Sequence, residues 1–494
     1  MIAFSLFFTL LATSPLVGSE RQALYNSLDP QSVAKALAFY ELYPGTEEGN
    51  AALARATELL DLSHPSFAAT LTTFINRGEK KEEWSEEEVE KIEKIAAHLP
   101  NRKLQGYHAQ SEEEVVALPS REIDLGMALL LSQMKGESGA HLQARRYSAM
   151  LDLMAMQIIA RLPRDATPEE KIAETNRYIF DEMHFRFPPQ SVYAQDIDLY
   201  TFLPSVMDNH LGVCLGVTAL YLAIAQRIEL PLEVITPPGH IYVRYREGEK
   251  IVNIETTARG INTPSETYLS VNTRHLEERT IKEVIGMTHV NQASLYLHLS
   301  EFEKAAPVYE QAMLYMPGDP LVTELLGYSY LFLQKKREGK KLLKEIAYHL
   351  PDHYVARRKL AEDYLKGKVG KEGIRAVFQR VDETRKSILQ KQEELQVLLQ
   401  KHPQFRDGWQ QLAVGWIQLK RFKEAIAALE TAQTLDPEDP VIPYYLSVLY
   451  GERFDLKKCW ENLHKAEAIT QSRNFSPKPL KDLRKALSAL CPEL

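Results

Sequence analysis

The sequence predicts an α+β domain set behind a helical N-terminal region and followed by an all-α solenoid. Three observations carry this. Apolar residues recur at helical spacing up to about residue 200, apolar and polar residues alternate between Leu232 and Thr256, and aromatic, alanine and proline positions repeat every 34 residues after Gly286. At 494 residues the chain is long enough for two to four domains, each with its own core. Its net charge of −8 is spread among interspersed acids and bases. The most acidic stretch, Glu79 to Glu93, is broken by Lys80, Lys81 and Lys91, the pattern of a solvated helix face. No basic field points to nucleic acid as a partner.

Residues 1–19 read as a signal peptide. An apolar run from Ile2 to Ala12 is followed by small residues around Val17, Gly18 and Ser19, with cleavage expected before Glu20. The run is too short to span a bilayer comfortably, and no later segment is a membrane-span candidate. The expectation is an exported protein, periplasmic or secreted, with no stable membrane span once the signal is removed. The three cysteines, Cys214, Cys459 and Cys491, allow at most one internal disulfide. They form no CxxC pair, and His349 and His353 are separated by a helix-breaking Leu-Pro-Asp. No metal site and no cofactor are expected.

Residues 20–120 form a helical N-terminal region in which Ser85 and Glu88 make a capping box ahead of Val89, Ile92 and Ile95. The helical pattern continues into the domain of residues 121–285 through Leu125, Leu129, Leu130 and Met134, then Leu151, Met154, Ile158 and Leu162. Thr167-Pro-Glu-Glu170 starts a helix expected to run to about Met183. The structure type then switches. Leu215 to Arg227 is a helix, Leu232 to Ile235 a short strand, and His240 to Arg246 pairs with Lys250 to Thr256 in a hairpin. A Glu247-Gly248 turn places His240 directly opposite Glu255; a Gly248-Glu249 turn makes the two diagonal neighbours. Either register puts His240, Asn253 and Glu255 on one face and Ile241, Val243, Val252 and Ile254 on the other.

Tyr296, Tyr330 and Tyr364 are spaced by 34 residues, as are Trp416 and Tyr450, and Pro317 and Pro351. The unit beginning at Arg406 orders Trp409, Leu412, Ala413, Trp416, Ala425, Leu429, Ala432 and Pro437. This matches the tetratricopeptide repeat, with small residues where paired helices cross and proline after the second helix. Residues 286–475 are assigned to these repeats. An insertion within Val381 to Gln400 is expected to extend a helix of the third unit, and residues 476–494 to form a capping helix or tail.

The chemistry concentrates in Gly212-Val-Cys-Leu-Gly216, Pro237-Pro-Gly-His240 and Asn253-Ile-Glu255. A cysteine at a helix start gains from the dipole and from free N–H groups, which favour a thiolate and can serve an oxyanion. The two flanking glycines are expected to leave room for a substrate backbone. The thiol needs a base, and the imidazole needs a third group to fix its orientation. Cys214 is therefore the candidate nucleophile and His240 the base. Glu255 is the candidate orienter with Asn253 as its rival, while His210 and His184 are competing bases. A buried structural cysteine and a lone strand histidine are the alternative for the first two residues taken singly.

At these residues a resemblance is specific. Asp124-Leu-Gly-Met-Ala-Leu, Leu203 to Tyr221 with Gly212-Val-Cys, Pro238-Gly-His240-Ile-Tyr-Val-Arg244 and Asn253-Ile-Glu-Thr resemble the SirB1-type branch of the transglutaminase-like superfamily. The resemblance runs from about Glu122 to Tyr268, and such proteins often carry tetratricopeptide repeats after this domain. It implies a papain-like α+β fold and a Cys-His-acid triad on Cys214, His240 and Glu255, where the superfamily's usual aspartate is one methylene shorter. It also implies a transglutaminase, peptidase or related amide chemistry.

Two functions follow. In the first, the chain is a cysteine hydrolase, peptidase or acyl transferase, and the repeats recruit a protein or peptide partner. Because all three triad candidates precede Gly286, this reading expects the repeats to be separable from the chemistry. In the second, the chain is a catalytically inactive scaffold for protein–protein interaction.

Overall fold

The computed structural model describes residues 18–62, 65, 68, 71, 84–136, 138–188, 197–379, 381 and 384–493. The expected signal segment lies almost wholly outside them. The chain divides into two compact units, one of residues 1–103, 138–178 and 224–230, the other of residues 104–137, 179–223 and 231–494.

The first unit is helical. Helices Val33–Leu42 and Glu47–Leu59 begin at Ser32 and Thr46, whose hydroxyls accept from the third backbone N–H. Glu86–Ile95 carries the expected Ser85/Glu88 capping box, and Pro168–Asn176 the expected Thr167/Glu170 box with proline in its first turn. Leu37, Ala52, Ile92, Leu151 and Ile158 are fully buried. The 20-residue helix Ala140–Ile159 also buries Asp152. That carboxylate is paired with the guanidinium of fully buried Arg227 at 2.8 Å, which in turn donates to Ser148 at 3.0 Å. An uncompensated charge there would be costly, so removing either partner should cost more than the pair itself contributes.

In the second unit the helix Leu125–Gln133 is capped by buried Asp124, which accepts from Met127 N–H at 2.8 Å. A four-stranded antiparallel sheet has the order β3-β2-β1-β4, with β1 Glu233–Thr236, β2 Tyr242–Glu247, β3 Lys250–Ile254 and β4 Glu277–Arg279. The hairpin pairs Arg244 with Asn253 and Glu247 with Lys250, so the loop is Gly248-Glu249 and not Glu247-Gly248. Gly248 has φ +58, the left-handed first loop position that a type II′ hairpin turn gives to glycine. Ile241, Val243 and Ile254 are buried as expected, whereas Val252 stays half-exposed and Tyr242 and Tyr245 are buried as well.

The repeats form helix pairs. Ile281–His298 packs on Phe302–Tyr315, Pro320–Phe332 on Lys336–Ile346, Arg406–Gln418 on Phe422–Leu435, and Val441–Glu452 on Leu456–Ser472. Ala305, Tyr309 and Ala312 are fully buried in one unit, and Ala413, Ala425 and Ala432 in another. The third unit has two short helices, Leu360–Leu365 and Lys371–Phe378. Its insertion does not extend either of them. It forms a separate helix, Arg385–Lys401, started by the Thr384 hydroxyl, which caps Ser387 N–H. A final helix, Lys478–Leu490, closes the array.

Candidate active site

Cys214 is the first residue of helix Cys214–Arg227. The segment before it is pinned by backbone: Gly212 N–H donates to Arg186 O at 3.1 Å and Val213 N–H to Tyr200 O at 2.9 Å. The glycines on either side serve this packing. A Cβ on Gly216 would fall 2.3 Å from Tyr200 O, and one on Gly212 would fall 2.8 Å from Val217 Cγ2. They face the protein's own chain, so the expectation that they make room for substrate is corrected.

Pro237-Pro-Gly-His240 is a tight turn closed by His240 N–H donating to Pro237 O at 3.0 Å, with Gly239 at φ +73. Proline followed by a left-handed glycine is the type II signature. It delivers His240 two residues before β2 begins, not inside the strand. Diagonally across the hairpin, Glu255 follows β3 and is buried. His240 Nε2 meets Glu255 Oε2 at 2.7 Å. The other carboxylate oxygen, Oε1, accepts from Thr257 N–H at 3.1 Å and from its hydroxyl at 2.6 Å.

The Cys214 side chain lies on the same cavity and also acts on the imidazole. Burial alone would lower the imidazole pKa, but the hydrogen bonds to Cys214 and Glu255 outweigh it and push it up to about 9. Burial would likewise raise Glu255, and the hydrogen bonds from His240, Thr257 and Tyr268 override that to hold it at about 2.

Asn253, the rival orienter, does not reach His240. Its amide donates to Thr263 O at 2.6 Å and to Ser265 Oγ at 3.1 Å, and its backbone N–H donates to Asn262 Oδ1 at 3.0 Å. It fastens the loop that leads to Tyr268. His210 stacks on Phe185 with ring centres 4.5 Å apart.

Sequence reasoning missed Tyr268. Its hydroxyl donates to Glu255 Oε2, and its ring stacks on His240 at 5.5 Å and on Tyr242 at 5.1 Å. No periodicity links it to the hairpin; the only hint was that the resembling stretch ends there.

Cys214 and His240 open on a cavity of about 260 Å³. Met287, Asn291, Met316, Leu321, His353 and Tyr354 also line it, all from the repeat array. The repeats form part of the cleft wall, contrary to the expected separation of recruitment from chemistry. Backbone bonds strengthen this join, with Arg274 N–H on His353 O at 2.8 Å and Val355 N–H on Asn272 O at 3.0 Å. Among the described residues no cluster of histidine, cysteine or acid side chains has metal-binding geometry, and no disulfide is present. No helix among them is long and apolar enough to cross a membrane.

Residues 145–283 match the family described as the transglutaminase-like superfamily. The chain carries a transglutaminase-like domain. Residues 409–439 match a tetratricopeptide repeat, so the transglutaminase-like domain is joined to a module of the protein-interaction class. UPF0162 proteins of two Xylella fastidiosa strains, Temecula1 and 9a5c, are each 21% identical over 177 residues. The match spans 33% of this chain and 62% of each relative, less than two thirds of their length. Solved structures similar to the chain include MamA, at 12% identity over 36% of this chain and 94% of that one, with a TM-score of 0.22. Another is YrrB, described as a TPR protein with an unusual peptide-binding site, at 15% identity over 40% and 92%, with a TM-score of 0.22.

Proposed function

We propose that the transglutaminase-like domain performs thiol-dependent acyl chemistry on a peptide or other amide. The carrying observation is that His240, bonded to Glu255, lines one cavity together with Cys214. In this reading Cys214 Sγ attacks the amide carbonyl, and its proton passes through His240 to the departing amine. A thioester on Cys214 remains. Water then attacks the thioester, giving up a proton to His240, and the acid leaves as the thiol is restored. Glu255 holds the imidazolium, and N–H groups at the helix start receive the oxyanion. An amine in place of water would give transfer instead of hydrolysis. The SirB1-type motif Pro238-Gly-His240 to Arg244 supports placing the chain in that branch. The apolar run of residues 2–12 supports export to a periplasmic or secreted location. The repeats bind the protein partner, and the scaffold reading keeps that role alone.

Iodoacetamide labelling across pH tests the chemistry. Cys214 should label at pH 6 while buried Cys459 and the C-terminal Cys491 stay slow, and His240→Ala should abolish that reactivity with the fold intact. Labelling of Cys214 only near the ordinary thiol value of about 8.5 would leave the scaffold reading standing.

A further inference from the structure

A second cavity of about 120 Å³ adjoins the cleft and shares Glu277, Arg279, Asp319, Leu321, His353 and Tyr354 with it. Beyond these its walls are the apolar Pro320, Ile346, Pro351 and Ala361 together with His349, Arg358 and the carboxylate of Glu324. This is the shape of a slot for an aliphatic stem with a charged tip.

Glu324 is the unusual member. Its side chain is only 6% exposed, yet Oε2 receives no hydrogen bond among the described residues. Oε1 accepts from the Tyr328 hydroxyl at 2.6 Å, and the nearest cation, Arg358 Nη1, stands 3.8 Å from Oε2 on a side chain that is 64% exposed. Burial pushes the Glu324 carboxyl above its ordinary range, and Arg358 and Tyr328 offset this only in part. The neighbouring acids are already engaged. Arg279 pairs with Glu277 at 2.8 Å and with Asp319 at 3.0 Å, which leaves Glu324 as the carboxylate whose only ion pair is the long one to Arg358. A buried carboxylate with an open lone pair favours a cation that arrives with its own hydrogen-bond donors.

We propose that this chamber receives the cationic side chain of a lysine or arginine in the peptide whose amide is presented to Cys214, with Glu324 as its counter-ion. The proposal rests on the acyl-transfer reading of the cleft and names its substrate class. The apolar walls take the methylenes, and the ammonium or guanidinium occupies the open side of Glu324. Because most of the chamber comes from the second repeat unit and the connection into the third, with β4 supplying Glu277 and Arg279, the repeats would help choose the substrate side chain directly.

Peptidyl chloromethyl ketones ending in lysine, norleucine or glutamate test this on the full chain. Each alkylates Sγ with loss of chloride, and the saturation kinetics separate binding, KI, from the thiol step, kinact. The lysine reagent should bind roughly tenfold more tightly than the uncharged norleucine reagent, which has the same methylene stem without the ammonium, with glutamate weakest, as for one partly buried charge pair. Glu324→Gln keeps the acceptor for Tyr328 and should bring the lysine-to-norleucine ratio in KI near one. Arg358→Met removes the competing cation from an exposed position and should widen that ratio. Equal KI for lysine and norleucine on the unaltered chain, or a lysine preference that survives Glu324→Gln, would overturn the pocket whatever the value of kinact. A kinact no better than that of free thiol, with the lysine preference intact, would remove the nucleophile and leave the pocket.

Discussion

Two of the histidine–glutamate pairs in the same unit, His240–Glu255 and His289–Glu112, are wired differently. At the first, His240 meets Glu255 through Nε2 and lines a cavity together with Cys214. At the second, the same Nε2 of His289 meets both Ser132 Oγ, at 3.0 Å, and Glu112 Oε1, at 3.3 Å. Glu112 is further bound by Lys135 at 2.9 Å, by the Tyr315 hydroxyl at 3.2 Å and by Gln311 at 3.3 Å. A serine, a histidine and a carboxylate are all present, but a relay needs the imidazole between the other two, with one nitrogen for each. Here one nitrogen faces both. The cluster ties the segment around Glu112 to the first repeat, and burial, which would raise Glu112, is outweighed by His289 and Lys135, which hold it at about 2. Composition alone does not separate the two clusters; the topology of their hydrogen bonds does.

The largest effect expected from breaking this contrast comes from removing the repeats. A chain ending at Gly286 loses His289, Gln311 and Tyr315 from the Glu112 cluster and Met287, Asn291, Met316 and Tyr354 from the cleft wall. Labelling of Cys214 at pH 6 should fall to that of an ordinary thiol, of which roughly 0.3% is ionised at that pH. Circular dichroism on the same chain reads the accompanying loss of stability. A well-folded truncation that still labels at pH 6 would restore the separable arrangement that the sequence suggests.

Point substitutions sharpen the contrast. Glu255→Gln removes the carboxylate that supports the imidazolium, so Cys214 labelling at pH 6 should drop roughly tenfold or more, with the alkaline limb of the profile intact. Glu112→Gln should leave that profile unmoved and instead cost roughly 1–3 kcal/mol in urea unfolding, because buried donors lose their charged acceptor. The pH dependence of stability follows the same logic. His240 is raised from 6.5 to about 9, so its pair contributes fully below pH 6.5 and is lost as pH rises towards 9. Glu255 is lowered from 4.5 to about 2, so its contribution is present above pH 4.5 and is lost as pH falls towards 2. Melting temperature against pH should show both shoulders in the native chain and lose them in Glu255→Gln.

How much of this was legible depended on sequence distance. The capping boxes at Ser85 and Thr167 and the Pro-Pro-Gly turn are local, and the 34-residue period repeats one local unit, so each is visible in the residues themselves. The hairpin register turned on which loop position holds Gly248. The requirement for a left-handed residue decides it, whereas the alternation of apolar residues alone allowed either. β4 escaped notice because Glu277 to Arg279 is a polar triplet with no alternation, placed at the sheet edge by pairing with β1. The insertion read as a helix extension because its composition is helical throughout, yet Thr384 starts a new helix. The repeat wall of the cleft joins Cys214 to Tyr354, and no spacing rule spans 140 residues.

Tyr268 should give the smallest effect and the finest test of the His240–Glu255 pair. Its ring lies against His240 and its hydroxyl donates to the carboxylate oxygen that also binds the imidazole. Burial and that carboxylate hold the hydroxyl above the ordinary tyrosine range, so it remains a donor throughout the pH range of thiol labelling. Tyr268 acts through Glu255 and is a positioning residue. Tyr268→Phe keeps the stacked ring and removes one donor, so Cys214 labelling at pH 6 should fall only about threefold, the scale of a single modest hydrogen bond. Tyr268→Ala also removes the stack and should fall further, towards the Glu255→Gln rate. Equal rates for the two variants would assign the positioning to the hydroxyl alone. A native rate in both would mean that Glu255 needs only Thr257 and the hairpin to hold His240 in place.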